Sequence, residues 1–360
     1  MKTFWSGKLL IEQNKNRPEG QCLIISTPVA MPDIAFDCDD NPESDALGVA
    51  VEVRQIVFGS EEHGLRLDQA LAQRVPEVSR SYLRQLIDAG AFQFVGGKPF
   101  KATSKIKAGE AGQIELRPTP QSQAFVPENM VIDVVYQDDH LLVLNKPAGL
   151  VVHPAPGNWR GTLLNGLLAL DKKAASLPRA GIVHRLDKDT SGLMVVARTR
   201  ETMDALVRAI AARTVHRRYV AVTHKAWTGA AQVDVDAPIG RDPRNRLRMA
   251  MVDLQNHSGK TAKTSVKVLH SQEQGSLVLC TLHTGRTHQI RVHMASLQKP
   301  LVGDVLYGGA MDLGLERQAL HALQLAFTHP VSQQELAFEA PLPQDFQNLL
   351  QRLNLRYNAP

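Results

Sequence analysis

Residues 181–198 read GIVHRLDKDTSGLMVVAR. Within this stretch the predominantly polar residues 184–192 run directly into the apolar residues 193–197. A continuous apolar run of this length is typical of a buried strand. The polar residues are therefore predicted to form a loop held at the edge of a sheet, a common location for chemistry.

Asp187 lies in this loop between the cations Arg185 and Lys188. Neighbouring cations favour the ionised form of a carboxyl group, which makes Asp187 a candidate nucleophile or base rather than an acid. An ordinary loop with a solvated salt bridge would carry the same charges, because structural ion pairs also perturb carboxylates. The loop by itself leaves both interpretations open.

The loop also resembles the catalytic motif of the RluA-type pseudouridine synthases, with Asp187 at the position of their essential aspartate. Further stretches resemble motifs of that family and follow in the family's order: 138–154, 218–222, 284–294 and 301–309. Several long motifs in order are far more specific than one short pattern. The resemblance therefore implies the fold, activity and site residues of this family.

The resemblance implies five further site residues. Arg291 occupies the position of the arginine that pairs with the catalytic aspartate, and Tyr219 that of the active-site tyrosine. Arg185 matches the arginine that fills the space left when a uridine is flipped out of its helix. Arg286 and His288 are expected to position the RNA backbone or to shape the pocket, and a structural role is the alternative for both.

The implied reaction breaks the N1–C1′ bond of a uridine and joins C5 of the base to C1′. The leaving uracil anion spreads its charge over its carbonyl oxygens, so one carboxylate can suffice where glycoside hydrolysis normally uses two. Asp187 would attack C1′ covalently or remove a proton from the sugar. The sequence does not choose between these routes, and it indicates no cofactor.

The resemblance implies that the substrate is 23S large-subunit ribosomal RNA. Two alternatives remain. One is a pseudouridine synthase that acts on transfer RNA or on other ribosomal sites, since family members share these motifs. The other is a non-catalytic RNA-binding ribosome assembly factor. Loss of Asp187, Tyr219 or Arg291 would favour the assembly factor, and all three are present.

A basic module precedes the motifs. The net charge of the chain is +5, and residues 64–118 hold nine Lys or Arg against five Asp or Glu, a net +4. Most of the excess positive charge thus lies in a small part of the chain. Such a concentration suggests a polyanionic partner, although a solvated basic face is also common.

Residues 64–118 are predicted to form two short helices and a β-hairpin. Ser79 lies at the N-cap of the second helix, and Gly96-Gly97 is predicted to turn the hairpin between the run 92–95 and a strand from Lys98. The pattern resembles an S4 RNA-binding domain, whereas the alternative is a protein-interaction module. The candidate RNA contacts are its basic residues Arg80, Arg84, Lys98 and Lys101.

Residues 131–350 are predicted to form the catalytic domain. They alternate a helix over 200–212 with strand-like runs at 131–135, 141–144, 193–197, 219–222 and 277–282. The regular βαβα rhythm of a parallel sheet is missing, which predicts an α+β fold with a mostly antiparallel sheet. The pseudouridine synthase fold is of this kind.

Residues 1–48 are predicted to be disordered or to be an extension upstream of a true start at Met31. The segment 31–48 carries six acidic residues and no Lys or Arg, a composition that favours disorder. The chain has three cysteines without CxxC spacing, which fits a reducing cytoplasm. No apolar run approaches the ~20 residues that span a bilayer, so no membrane partner is expected.

Three histidines, His283, His288 and His293, are spaced five residues apart. This spacing matches neither one face of a helix nor one face of a strand, and no cysteine or acidic residue accompanies them. No metal is therefore expected. A monomer is expected, because the RNA would supply the large interface.

Overall fold

The computed structural model describes residues 52–117, 124–155, 157–245 and 247–357. These residues divide into two units, one ending at Ala124 and the other beginning at Phe125. The predicted N-terminal tail, 1–48, lies outside the described residues.

The smaller unit consists of β1 (Glu52–Val57), α1 (Leu67–Arg74), α2 (Arg80–Asp88), β2 (Phe92–Phe94) and β3 (Ala111–Leu116). Its described strands form an antiparallel sheet in the order β1–β3–β2. Helix α2 begins as predicted, because Ser79 Oγ accepts a hydrogen bond from the Tyr82 backbone N–H at 3.2 Å. The apolar faces of both helices pack with Phe92 and Ile114 into one core.

The hairpin predicted around Gly96-Gly97 is wrong. The two glycines do form a turn, with φ of 92° and 71°, but no strand occurs in residues 98–110. Strand β2 pairs instead with β3, with Phe92 opposite Ile114. The physical reason is Pro99, which lacks the backbone N–H that a strand ladder requires.

The larger unit contains four α-helices and twelve strands in its described ranges. The helices are α3 (Leu163–Leu170), α4 (Arg200–Ala211), α5 (Gln289–Ser296) and α6 (Gln344–Arg352). The strands are β4 (Val134–Gln137), β5 (Leu141–Lys146), β6 (Ser191–Ala197), β7 (His216–His224), β8 (Gln232–Asp236), β9 (Ile239–Arg241), β10 (Met249–Met251), β11 (Gly259–Lys260), β12 (Lys263–Gln272), β13 (Gly275–Leu282), β14 (Leu320–Thr328) and β15 (Glu335–Glu339). No helix among the described residues has the length and hydrophobicity of a transmembrane span.

Nine of these strands form one sheet within the described residues. Its order is β4–β5–β6–β14–β7–β13–β12–β8, and β15 also pairs with β14. Every pairing is antiparallel except the short contact between β6 and β14. The prediction of an α+β unit with a mostly antiparallel sheet is therefore confirmed.

The central strands of this sheet are buried on both faces. Side chains alternate along a strand, so Met194 and Tyr219 pack on one face against α3 and α5. On the other face, Val195 packs with residues of α4 and Val220 packs with residues of α6. All seven residues of β6 are buried. Burial on both faces explains the continuous apolar run that follows the loop.

The loop before β6 is held by Lys146, the last residue of β5. The Lys146 side chain is 1% exposed, and burial lowers its pKa to about 7 against the opposing effect of Asp189 and Asp187. Its Nζ donates to three backbone carbonyl oxygens, those of Pro147 at 2.7 Å, Leu150 at 2.9 Å and Lys188 at 2.9 Å. One buried amine thus joins the turn after β5 to the loop that carries Asp187.

We predict that Lys146→Met lowers the melting temperature. The substitution removes the shared donor of three carbonyl oxygens, each worth about 1 kcal/mol, and a loss of about 3 kcal/mol corresponds to roughly 6–12 °C in a domain of this size. Lys188→Met is the control, because its side chain is exposed and its carbonyl is retained. Equal melting temperatures of Lys146→Met and wild type in calorimetry would contradict the prediction.

Gly192 lies where β6 meets β14. Its φ is +114°, and a Cβ there would come within 2.2 Å of the Ala322 carbonyl oxygen. The position therefore requires glycine both for its backbone conformation and for space. Gly229 shares only the first requirement, with φ of +99° and no atom within 4 Å of a Cβ.

Alanine substitutions at Gly192 and Gly229 separate the effect of backbone strain from the effect of a steric clash. Gly229→Ala is expected to lose about 1–2 kcal/mol of unfolding free energy from backbone strain. Gly192→Ala is expected to lose a further ~1–3 kcal/mol, because the backbone must also move apart. Urea unfolding followed by circular dichroism measures both values. The steric argument fails if the two variants lose the same amount.

Candidate active site

A cleft of about 590 Å³ is bordered by the loop that precedes β6. It brings together all six site residues that were predicted in the larger unit: Arg185, Asp187, Tyr219, Arg286, His288 and Arg291. These residues come from the loop, from the central strand β7, and from the first turn of α5 and the segment just before it. The structure thus places residues more than one hundred positions apart around one cavity.

Arg291 and Asp187 are in direct contact. Arg291 is the third residue of α5, and its Nη1 donates to Asp187 Oδ2 at 3.2 Å. The two side chains are 9% and 16% exposed, respectively. The carboxylate is therefore oriented by a cation but still open to the cleft.

Asp304 holds Arg291 from the other side. Arg291 Nε and Nη2 each donate to one carboxylate oxygen of Asp304 at 2.8 Å, and the Asp304 side chain has no exposed surface. Burial opposes the charge of Arg291, but the hydrogen bonds and charge of Asp304 outweigh it, so the pKa of Arg291 is raised. This fork fixes the guanidinium plane and directs the remaining Nη1 towards Asp187.

Tyr307 and His288 complete the surroundings of Asp187. The Tyr307 ring centroid lies 5.0 Å from Arg291 Cζ, a cation–π distance. Its hydroxyl oxygen accepts from the Met249 N–H at 2.9 Å and lies 2.8 Å from His288 Nδ1. The other ring nitrogen of His288, Nε2, faces Asp187 Oδ1 at 3.9 Å. Burial lowers the pKa of His288 despite the charge of Asp187.

Tyr219 lines the cleft from the middle of β7. Its side chain is 5% exposed, and its pKa is raised by burial, against the effect of Arg217 and with a contribution from Asp187. The phenol therefore keeps its proton at neutral pH. Tyr219 offers the cleft an aromatic face and a hydroxyl donor rather than a base.

The cleft is strongly positive. Among the described residues that line it, the only acid is Asp187, and six are arginines: Arg179, Arg185, Arg213, Arg217, Arg286 and Arg291. Arg185 is exposed and makes no hydrogen bond or ion pair with any described residue. Arg286 is partly engaged, because its Nε donates to the Thr261 carbonyl oxygen at 3.1 Å.

The four basic candidates of the smaller unit differ in their surroundings. Lys101 is exposed, and its ammonium group pairs with no carboxylate among the described residues. The other three form ion pairs within the unit: Arg80 with Asp68 at 2.9 Å, Lys98 with Glu110 at 2.6 Å and Arg84 with Asp88 at 3.9 Å. The Asp68 carboxylate is buried, so Arg80 also has a structural role.

The three spaced histidines have separate partners. His283 Nε2 lies 2.8 Å from Ser265 Oγ, and His293 Nδ1 lies 2.9 Å from Thr264 Oγ1. No group of three potential metal ligands occurs among the described residues.

Two residues of the site were not singled out from the sequence. Asp304 and Tyr307 lie within the motif 301–309, but their contacts with Arg291 require a separate segment to fold back onto α5. A buried acid thirteen residues after an arginine has no local pattern that identifies it as a partner. Only the motif as a whole pointed to this segment.

Comparisons with known proteins identify the family of this chain. Residues 140–296 match the family model described as RNA pseudouridylate synthase. A protein named ribosomal large subunit pseudouridine synthase D from Neisseria meningitidis serogroup A is 49% identical over 306 residues, covering 81% of this chain and 79% of the relative. A protein with the same name from Xanthomonas campestris is 45% identical, covering 84% and 92%.

Two more relatives extend the comparison. An uncharacterized RNA pseudouridine synthase of Bacillus subtilis is 41% identical, covering 84% of this chain and 98% of the relative. The solved structure titled human RNA pseudouridylate synthase domain containing 4 is 27% identical with a TM-score of 0.50, covering 62% of this chain and 94% of that one. The chain therefore belongs to the RNA pseudouridylate synthase family and is an RNA pseudouridine synthase.

Proposed function

We propose that this protein isomerises specific uridines in 23S large-subunit ribosomal RNA. The observation that carries the proposal is Asp187, held by Arg291, which Asp304 fixes in turn, in a cleft whose described lining includes six arginines and no other acid. A positive cleft suits a polyanionic substrate. The relatives named for the large ribosomal subunit support this RNA as the substrate.

Asp187 is the proposed catalytic group, acting as nucleophile at C1′ or as base towards the sugar. In either route the N1–C1′ bond breaks, the uracil turns, and C5 bonds to C1′. The proton on C5 is then lost and N1 regains one. The reaction is an isomerisation with no net oxidation or reduction, so we propose that it uses no cofactor. The Arg291 contact supports the role of Asp187, because it orients the carboxylate before substrate binds.

Tyr219 is proposed to contact the flipped base, and Arg185 is proposed to fill the space that the base leaves in the RNA helix. Extruding a base from a helix costs a few kcal/mol, and stacking on an aromatic face recovers part of it. The protonated phenol of Tyr219 suits stacking and donation. Arg185 is exposed and has no hydrogen-bond or ion-pair partner in the described part of the chain, so it is proposed to enter the space that the uridine leaves. Arg286 and His288 are proposed to position the RNA backbone or to shape the pocket.

The smaller unit is proposed to be an S4-like RNA-binding domain. The net +4 charge of residues 64–118 supports this role, as do two helices packed on a small sheet. Arg80, Arg84, Lys98 and Lys101 are its proposed contacts. Of these, only Lys101 has no carboxylate partner within the described ranges. We further propose that the enzyme acts as a cytoplasmic monomer, with 131–350 as its catalytic domain.

We predict that Asp187→Asn abolishes tritium release from 5-³H-uridine-labelled ribosomal RNA while RNA binding is retained. Loss of the C5 hydrogen is the signature of the reaction, and asparagine keeps the shape of the side chain without its nucleophilicity. Equal release by variant and wild type would show that Asp187 is not the catalytic group. If wild type released tritium from transfer RNA but not from ribosomal RNA, the substrate would be transfer RNA. If it released tritium from neither RNA, a non-catalytic assembly factor would be favoured.

A second prediction concerns Asp304→Asn. The variant should lower kcat about ten- to a hundredfold, because a loosened Arg291 no longer holds Asp187 in its productive position, with little change in RNA affinity. Asp171→Asn is the matched control, since Asp171 also accepts from an arginine, Arg198, at 2.9 Å but does not line the cleft. Equal losses of kcat in both variants would point to general destabilisation instead.

A further inference from the structure

Arg217, on β7, is a buried cation with no ion-pair partner in the described part of the chain. The residue is 6% exposed, and its Nε is buried with no hydrogen-bond acceptor. No carboxylate among the described residues lies within ion-pair distance of its guanidinium. Burial lowers the pKa of Arg217, with Tyr219 opposing, yet an arginine stays charged in a protein. An unpaired buried charge is costly.

The side chain faces the cleft. Arg217 lines the cavity and lies two residues from Tyr219 on the same face of β7, a translation of about 7 Å. Gly285 lies against the Arg217 guanidinium, since a Cβ on Gly285 would come within 2.8 Å of Arg217 Nη1. Gly285 does not have a positive φ, so the closest group that a side chain at this position would meet is the guanidinium of Arg217.

Nothing in the cleft neutralises this charge. Asp187 is the only acid among the described lining residues, and its contact is with Arg291. The charge of Arg217 also acts on neighbouring His184, whose pKa is lowered to about 3 by burial and by Arg217. That histidine therefore stays neutral and adds no competing charge. An anion that balances Arg217 must come with the ligand.

We propose that Arg217 binds a backbone phosphate of the RNA, next to the uridine whose base lies against Tyr219. The inference rests on the proposed function only in taking RNA as the substrate. A phosphate is favoured over the uracil carbonyl groups because it carries full charge before the reaction begins. A guanidinium fork also matches phosphate geometry.

The test uses Arg217→Met in an Asp187→Asn background, so that binding is measured without turnover. The probe is a fluorescein-labelled transcript of a large-subunit ribosomal RNA stem-loop, titrated at several salt concentrations. The proposal predicts about tenfold weaker binding near 0.1 M salt and a salt slope smaller by about one. The melting temperature of the free protein should stay the same or rise, because methionine removes an unpaired buried charge.

Two further variants sharpen the result. Arg217→Lys should restore most of the salt slope but not the full affinity, because an ammonium lacks the planar fork. Arg218→Met is the matched control. Arg218 is the adjacent strand residue, points to the opposite face with Nη1 3.5 Å from Gln324 Oε1, and does not line the cleft. The salt slope of RNA binding by the Arg218→Met variant should equal that of the Asp187→Asn parent.

Three outcomes would overturn the proposal. Unchanged affinity and slope in Arg217→Met would exclude a phosphate contact. A lower melting temperature with unchanged affinity would make Arg217 a structural residue. A drop in kcat with an unchanged salt slope, measured with Asp187 restored, would place Arg217 at the leaving uracil instead. Failure of the proposed function would be visible separately, as wild type that binds the transcript without releasing tritium.

Discussion

One guanidinium organises the candidate active-site cleft. Arg291 presents Nε and Nη2 to the buried carboxylate of Asp304 and Nη1 to Asp187. Because Asp304 has no exposed surface, it needs a fixed cationic partner to remain buried as a charge. Satisfying Asp304 thus sets the plane of Arg291, and that plane sets the position of Asp187. The orientation of the candidate catalytic carboxylate depends on an acid that never reaches the cavity.

The scaffold makes this arrangement rigid. Tyr219 lies on a strand buried on both faces, and the loop carrying Asp187 is attached at its base by the Lys146 amine. Helix α5 brings Arg291, and the short helical turn Val305–Tyr307 brings Tyr307 against it. Each side chain is therefore supported by packing or by hydrogen bonds outside the cleft, which is what a preorganised site requires.

The sequence was informative where one local pattern decides the structure. A continuous apolar run correctly predicted the strand within β6, because burial on both faces leaves no polar position. The convergence of Asp187, Tyr219 and Arg291 on one cleft came from the family resemblance, since no periodicity relates segments so far apart. The hairpin predicted around Gly96-Gly97 is wrong, because Pro99 lacks the backbone N–H that a strand beginning at Lys98 would need. Contacts such as Lys146 to the Lys188 carbonyl escape sequence reasoning, because the acceptor belongs to the backbone.

Arg217 and Arg291 show how one residue type can serve two different purposes in one cavity. Arg291 is bound by two carboxylates, which balance its charge within the protein. Its role is to hold Asp187 in position. Arg217 lies beside Gly285 with no carboxylate of the described residues in ion-pair distance, so its charge remains available to a ligand. A folded protein that keeps such a charge unbalanced is stabilised when an anion binds. The unbalanced positive charge of Arg217 in the empty cleft would therefore favour binding of the negatively charged RNA backbone.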